Sequence, residues 1–199
     1  MRNKVTIYVH SEFFLIFTLA LFLIPVRWVL GWIIAGFLHE FSHMGMLYIQ
    51  KVKIVSVSIK ASGAIIMSEP MSFLQEFYCA LAGPLGSLSS YIFLRIFPEI
   101  TICAFLQSAF NLLPAYPLDG GRAIKCAVSH FWGESRGEAV SKYLTGIVFA
   151  VLSAISFWLI FYLHIHLLLP VGFLLLNMMK NSLQSRQNDS TILSFLERT

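Results

Sequence analysis

The chain has 199 residues, 57% of them hydrophobic and only 12% charged, with 14 basic and 10 acidic side chains giving a net charge of +4. Soluble domains run nearer about 45 to 50% apolar and about 25% charged, so there is too little polar surface here to cover a globule in water, and the composition points to an integral membrane protein with the lipid bilayer as its solvent. The same figures exclude a disordered chain and collagen, three cysteines are too few for a disulfide scaffold, and without a Lys/Arg-rich run nucleic acid is not an expected partner.

A short basic start, residues 1–4, leads into an apolar run over residues 13–26 that no small-x-small cleavage site closes, so it reads as a retained membrane helix. It is shorter than the roughly 20 residues that cross the hydrocarbon core and must borrow flanking residues. Residues 28–49 form a second helix, interrupted only by His39, Glu40, Ser42 and His43. Over residues 52–67 polar and β-branched side chains alternate and Gly63 supplies a turn, which predicts a β-hairpin at the membrane surface.

Residues 73–97 form a third membrane segment, where Ala82-Gly83-Pro84, Gly86, Ser87, Ser89 and Ser90 let another helix approach closely. After a turn at Pro98-Glu99, residues 100–113 form a fourth, broken by Pro114 and Pro117 ahead of Asp119-Gly120-Gly121. A polar connection over residues 129–142 leads to a fifth at 143–162, and a turn at His164-Ile165-His166 to a sixth at 167–179. The expected fold is therefore an all-α polytopic membrane protein of about six transmembrane helices with a small β-hairpin or sheet between the second and third. Residues 1–180 make the membrane domain and 181–199 a short cytoplasmic tail.

Six spans place both termini on one side. With that side cytoplasmic, all the basic residues except Arg27 and Arg95, twelve of the 14, fall inside, a strong positive-inside bias. Asn188-Asp189-Ser190 matches a glycosylation sequon but lies on the wrong face. Cys79, Cys103 and Cys126 are too far apart for CxxC chemistry and read as buried thiols.

His39-Glu40-Phe41-Ser42-His43 is an HExxH motif inside the second apolar helix. Positions four apart return to nearly the same helical face, so both imidazoles can reach one metal ion with Glu40 beside it. Neutral imidazole suits zinc, and a carboxylate next to zinc can take a proton from an attacking water. A pair of hydrogen-bonded histidines in a helix bundle is the plain alternative, but three ionisable groups in one turn at membrane depth are costly unless they serve a function.

A catalytic zinc keeps three protein ligands and an open position. Only two aspartates occur, and Asp189 is in the polar tail, which leaves Asp119 as the third-ligand candidate. Broken backbone at membrane depth must be buried in protein or line a wet cavity, and Asp119 follows such a stretch; capping the helix that begins near Gly120 is its other reading.

HExxH in one membrane helix, with Asn111-x-x-Pro114-x-x-Pro117-Leu118-Asp119-Gly120-Gly121 following a later one, resembles the site-2 protease family of intramembrane zinc metalloproteases. Val9-His10 and Ala82-Gly83-Pro84 are similar to the family's pattern too, and the short six-segment form resembles the sporulation sigma-factor processing type, stage IV sporulation protein FB and its relatives, without their CBS domain and without room for a PDZ domain. The resemblance implies an intramembrane zinc endopeptidase in a bacterial cell membrane, in which His39, His43 and Asp119 bind Zn2+ and Glu40 activates water. It also implies that Asn111 contacts substrate or the developing oxyanion; an interhelical hydrogen bond is the other reading for Asn111.

The implied substrate is a membrane-associated or membrane-spanning protein, with an inhibitory or regulatory membrane partner, and an extended substrate can pair with the hairpin edge. Water reaches zinc from the cytosol past residues 114–121. The competing class is a non-catalytic membrane metal-binding protein or transporter, for which ionisable groups on several helices or inverted repeats are expected and neither is evident. His164 and His166 read as interfacial, and His10 and His130 are assigned no chemistry.

Overall fold

A computed structural model describes residues 6–60 and 63–163. The chain divides into two compact units, with the boundary in sequence after Leu144. The expected sixth segment at 167–179, the tail at 181–199, His164, His166 and the basic residues Arg2, Lys4, Lys180, Arg186 and Arg198 all lie outside the described residues.

The first unit opens with a strand that the sequence reading did not anticipate, β1 (Thr6–Val9). Its Thr-Ile-Tyr-Val sequence is made of strong strand formers. Two helices follow, α1 (Ser11–Leu23) and α2 (Val26–Ile49). Pro25 separates them: it restricts Ile24 to extended backbone and then serves as the N-cap of α2. The pair forms the crossover that brings β2 (Ile54–Lys60) back parallel to β1, with Thr6 opposite Ser56 and Val9 opposite Ile59. The His10 N–H extends the ladder to the Ile59 carbonyl at 3.0 Å. β3 (Gly63–Ser68) then pairs antiparallel with β2. The expected hairpin is present, but it belongs to a three-stranded sheet of order β1-β2-β3 in which β3 is an edge.

Beyond the sheet, α3 (Phe73–Leu88) starts with a capping box between Ser72 and Gln75. It ends well short of the expected 73–97 segment, giving way to a 3-10 turn (Ser89–Phe93). The physical reason lies in its serines, because Ser87 and Ser89 donate back to the Gly83 and Gly86 carbonyls at 3.0 and 2.6 Å and compete with the regular ladder. The expected Pro98-Glu99 turn is instead the start of α4 (Pro98–Asn111), with proline in the first turn, where its missing N–H costs nothing. Residues 112–118 are irregular, and α5 (Asp119–Trp132) already includes Gly120 and Gly121.

The expected polar connection at 129–142 is also helical apart from one break. Gly133, at φ 90°, separates α5 from α6 (Glu134–Leu163), and the polar first turns of α6 run straight into its apolar part. Among the described residues only one helix is long and apolar enough to cross a membrane by length and composition, Glu134–Leu159 of α6. Helices of 16 and 14 residues, such as α3 and α4, are about 24 and 21 Å long and fall short of a hydrocarbon core about 30 Å thick.

Packing is inverted relative to a soluble domain. α3 packs against α2, α4 and α5, and the contacts are made by small or polar groups: Ala35 of α2 meets Cys103 and Ala104 of α4, and Ser87, Ser90 and Ser108 are buried. Ser108 donates to the Pro84 carbonyl at 3.1 Å, and Gln107 to the Trp32 carbonyl at 3.0 Å. Large apolar side chains, among them Phe22, Phe37, Phe41, Leu85 and Phe105, point outward instead. Small residues inside, interhelical hydrogen bonds and a greasy exterior are what helix packing in lipid selects. All three cysteines are free and buried, and burial, with Glu76 beside it, pushes the Cys126 thiol up to about 12, leaving it as an inert packing group.

Candidate metal centre

The helical repeat of α2 places His39 and His43 one above the other, with ring centroids 4.8 Å apart and planes at 82°. Both are buried, at 5% and 6% exposure. Asp119, the first residue of α5, joins them at 7% exposure. The capping role open to Asp119 is not taken up: Leu118 is the N-cap, and no side chain caps that helix. Its carboxylate instead turns into the histidine pair, where the nearby N-terminus of α5 also favours negative charge.

Three atoms converge. Asp119 Oδ2 lies 3.0 Å from His39 Nε2 and 3.2 Å from His43 Nε2, and the two Nε2 atoms are 3.2 Å apart. Proton accounting shows what this triangle is. His43 Nδ1 is 2.8 Å from the Cys79 carbonyl, which can only accept, so neutral His43 carries its proton on Nδ1. Ser87 spends its hydroxyl proton on the Gly83 carbonyl and so accepts from His39 Nδ1 at 3.2 Å. With both imidazoles neutral, each therefore turns an Nε2 lone pair toward a carboxylate oxygen, and the three atoms share no proton.

Three mutually repelling acceptors in a buried site call for a cation. Tetrahedral zinc with ligands about 2.0 to 2.1 Å away spaces those ligands about 3.3 to 3.4 Å apart, close to the 3.0 to 3.2 Å edges here. Two imidazoles and one carboxylate are also a donor set that zinc accepts, so the residues present fit the ion.

Glu40 follows His39 on α2, and its carboxylate is near enough to interact with His43, His39 and Asp119 on one hand and with the Ala64 backbone of β3 on the other. The amide nitrogen of Asn111, the last residue of α4, is 3.5 Å from His39 Nε2. The structure thus brings together all five residues that the sequence singled out. His10 and His130 stand apart from the metal cluster.

Sequence reasoning did not find the groups around the ligands. Cys79 contributes only a backbone carbonyl, which has no signature in sequence. Ser87 and Gly83 were recognised as small residues for helix packing; Gly83 in addition leaves room for the histidines, since a Cβ there would run into both imidazoles. Gly120 and Gly121 leave room for the backbone of Leu112, Leu113 and Ala115, allowing residues 112–118 to fold back over the start of α5. Arg122, whose Nη1 is 3.7 Å from Asp119 Oδ1, gave no sequence signal beyond its position one turn on.

No protein-family model matches the chain. Among curated proteins it is similar to a zinc metalloprotease of Methanocaldococcus jannaschii, 25% identical over a 118-residue alignment that covers 52% of this chain. The matched part spans 35% of that protein's length. Among solved structures it is similar to the site-2 protease of Methanocaldococcus jannaschii, with a TM-score of 0.67, 20% identity and 92% of each chain covered. At that identity the likeness establishes a shared fold.

Proposed function

We propose that this chain is an intramembrane zinc endopeptidase of the site-2 protease type. The observation that carries the proposal is the buried triangle of ligand atoms formed by His39, His43 and Asp119, with Glu40 beside His39 on the same helix. The fold shared with a solved site-2 protease and the similarity to a zinc metalloprotease support it. Bound zinc supplies Lewis-acid polarisation of a peptide carbonyl and lowers the pKa of water. Glu40 takes the proton of the attacking water and returns it to the leaving amine. The Asn111 amide donates to the oxygen on which negative charge develops.

The substrate is a membrane-associated or membrane-spanning protein that enters as an extended segment along the edge of β3, which no described strand covers and near which Glu40 sits. Six spans with both ends in the cytoplasm, a bacterial cell membrane as the location, a sporulation sigma-factor precursor as the substrate and an inhibitory membrane partner complete the reading. These rest on the basic-residue bias and on motif resemblance.

The test is to purify the protein, measure bound zinc, and assay cleavage of a membrane-tethered candidate substrate by the wild type and by Glu40→Gln. Zinc in both proteins with cleavage by the wild type alone is the expected result. Equal cleavage by Glu40→Gln ends the general-base role, and zinc without cleavage favours a non-catalytic metal-binding protein or transporter.

A further inference from the structure

Asp119 uses its two oxygens differently. Oδ2 completes the triangle with the histidines, whereas Oδ1 is the oxygen that pairs with Arg122, 3.7 Å from its Nη1. Arg122 stands three residues further along α5, on the same face, and its guanidinium is engaged on the far side as well: Nε and Nη2 both donate to Glu76 Oε1 at 3.4 Å. Glu76 is on α3, three residues ahead of Cys79, whose carbonyl fixes His43. One guanidinium therefore links the helix that supplies the carboxylate ligand to the helix that orients a histidine ligand.

The distinction between the two oxygens matters because a carboxylate can bind a metal through one oxygen or through both. Two-oxygen binding by Asp119 would crowd the position that a catalytic site keeps open for water. A cation beside Oδ1 opposes that arrangement, since the oxygen already has an ion-pair partner at 3.7 Å. We propose that Arg122 is a positioning residue which, braced by Glu76, holds Oδ1 and restricts Asp119 to one-oxygen ligation of the metal.

The planar fork of arginine suits the task, with Nη1 directed to Asp119 and Nε and Nη2 to Glu76; a lysine ammonium is a single point charge on a flexible stem and cannot keep both directions at once. The proposal rests on the zinc-site reading above. A plain clamp between α3 and α5 would change thermal stability without changing the coordination of the metal, so coordination is the property to measure.

The experiment compares wild type, Arg122→Gln and Arg122→Lys, purified intact and loaded with Co2+ or Zn2+ alone. Visible absorption of the Co2+ form reports coordination number, being intense for four ligands and weak for five, and chelator competition reports Zn2+ affinity. The expected result is an intense band in the wild type, a weakened band in Arg122→Gln with Zn2+ affinity lower by about 10- to 100-fold, the usual cost of losing a group that orients a ligand, and intermediate values in Arg122→Lys. A wild-type band and affinity in Arg122→Gln overturn the inference and leave the metal site standing. Should Arg122→Gln fail to fold, a wild-type band and affinity in Arg122→Lys overturn the fork requirement. A wild-type protein that binds neither metal overturns the zinc-site reading itself.

Discussion

The His43 ring is held by the backbone of a neighbouring helix: its Nδ1–H donates to the Cys79 carbonyl at 2.8 Å. A carbonyl has no proton to offer, so this contact places a proton on Nδ1 and, in the neutral ring, leaves the Nε2 lone pair on the side of Asp119 Oδ2. The corresponding contact of His39 goes to a hydroxyl, which can in principle turn. It is prevented from turning by Gly83, whose carbonyl accepts the Ser87 proton at 3.0 Å. Three consecutive turns of α3, at Cys79, Gly83 and Ser87, thus carry the groups that orient the two histidines of α2.

Ser87→Ala tests that account. The substitution strands the His39 Nδ1–H in a buried site and releases the ring to adopt the other tautomer, which would place a proton on the nitrogen facing Asp119. Zinc affinity is expected to fall by about 10- to 100-fold, as read by chelator competition, with little change in helix content. Wild-type affinity in the variant would show that the His39 tautomer is set by something else.

Gly83→Ala probes the same helix sterically. A single methyl at this position runs into the His43 ring and the edge of His39, and close packing leaves α3 nowhere to retreat without losing its contacts with α2. Loss of bound zinc and of cleavage is expected. Gly45→Ala is the matched control on α2, because nothing lies within 4 Å of a Cβ there, and it should retain zinc and activity and gain slightly in stability from helix propensity.

Asn111→Ala separates the two readings of that side chain. An amide that stabilises developing charge contributes through kcat, and its removal is expected to lower kcat by about 10²- to 10³-fold while bound zinc stays at the wild-type level. Were Asn111 only a tie between helices, the same substitution would lower the melting temperature and leave kcat largely in place. Kinetics and a thermal melt on one preparation distinguish these outcomes.

The candidate metal site is legible in the sequence because its signals are local or scarce. The i, i+4 spacing of His39 and His43 belongs to the helix period, and Asp119 stood out as the only aspartate outside the polar tail. β1 was not legible, since four residues carry little periodicity and their partner, β2, lies some fifty positions away across two helices. The third segment misled for a different reason. Its apolar residues continue beyond Leu88, but serines that bond their own backbone change the helix type, which hydropathy does not register. The polar connection expected at 129–142 rests on polarity alone, although residues such as Glu134, Arg136, Glu138 and Ala139 are good helix formers and only Gly133 interrupts the helices.

The edge of β3, uncovered by any other described strand, offers the most direct test of how substrate is held. Backbone groups alternate along a strand, so the Ala64 N–H that faces Glu40 and the N–H of Ile66 two residues on both point away from β2. Ile66→Pro removes one outward donor without taking a hydrogen bond from the β2–β3 ladder, and proline is tolerated on an edge strand in that orientation. A substrate that adds to the sheet as a further strand loses one main-chain hydrogen bond, worth about 0.5 to 1.5 kcal/mol net, so KM should rise by roughly 2- to 13-fold with zinc content unchanged. Ile65→Pro, whose N–H points the opposite way into the ladder, is expected to disrupt the sheet itself and serves as the contrast. An unchanged KM in Ile66→Pro, measured on a membrane-tethered substrate, would remove β3 as the substrate platform.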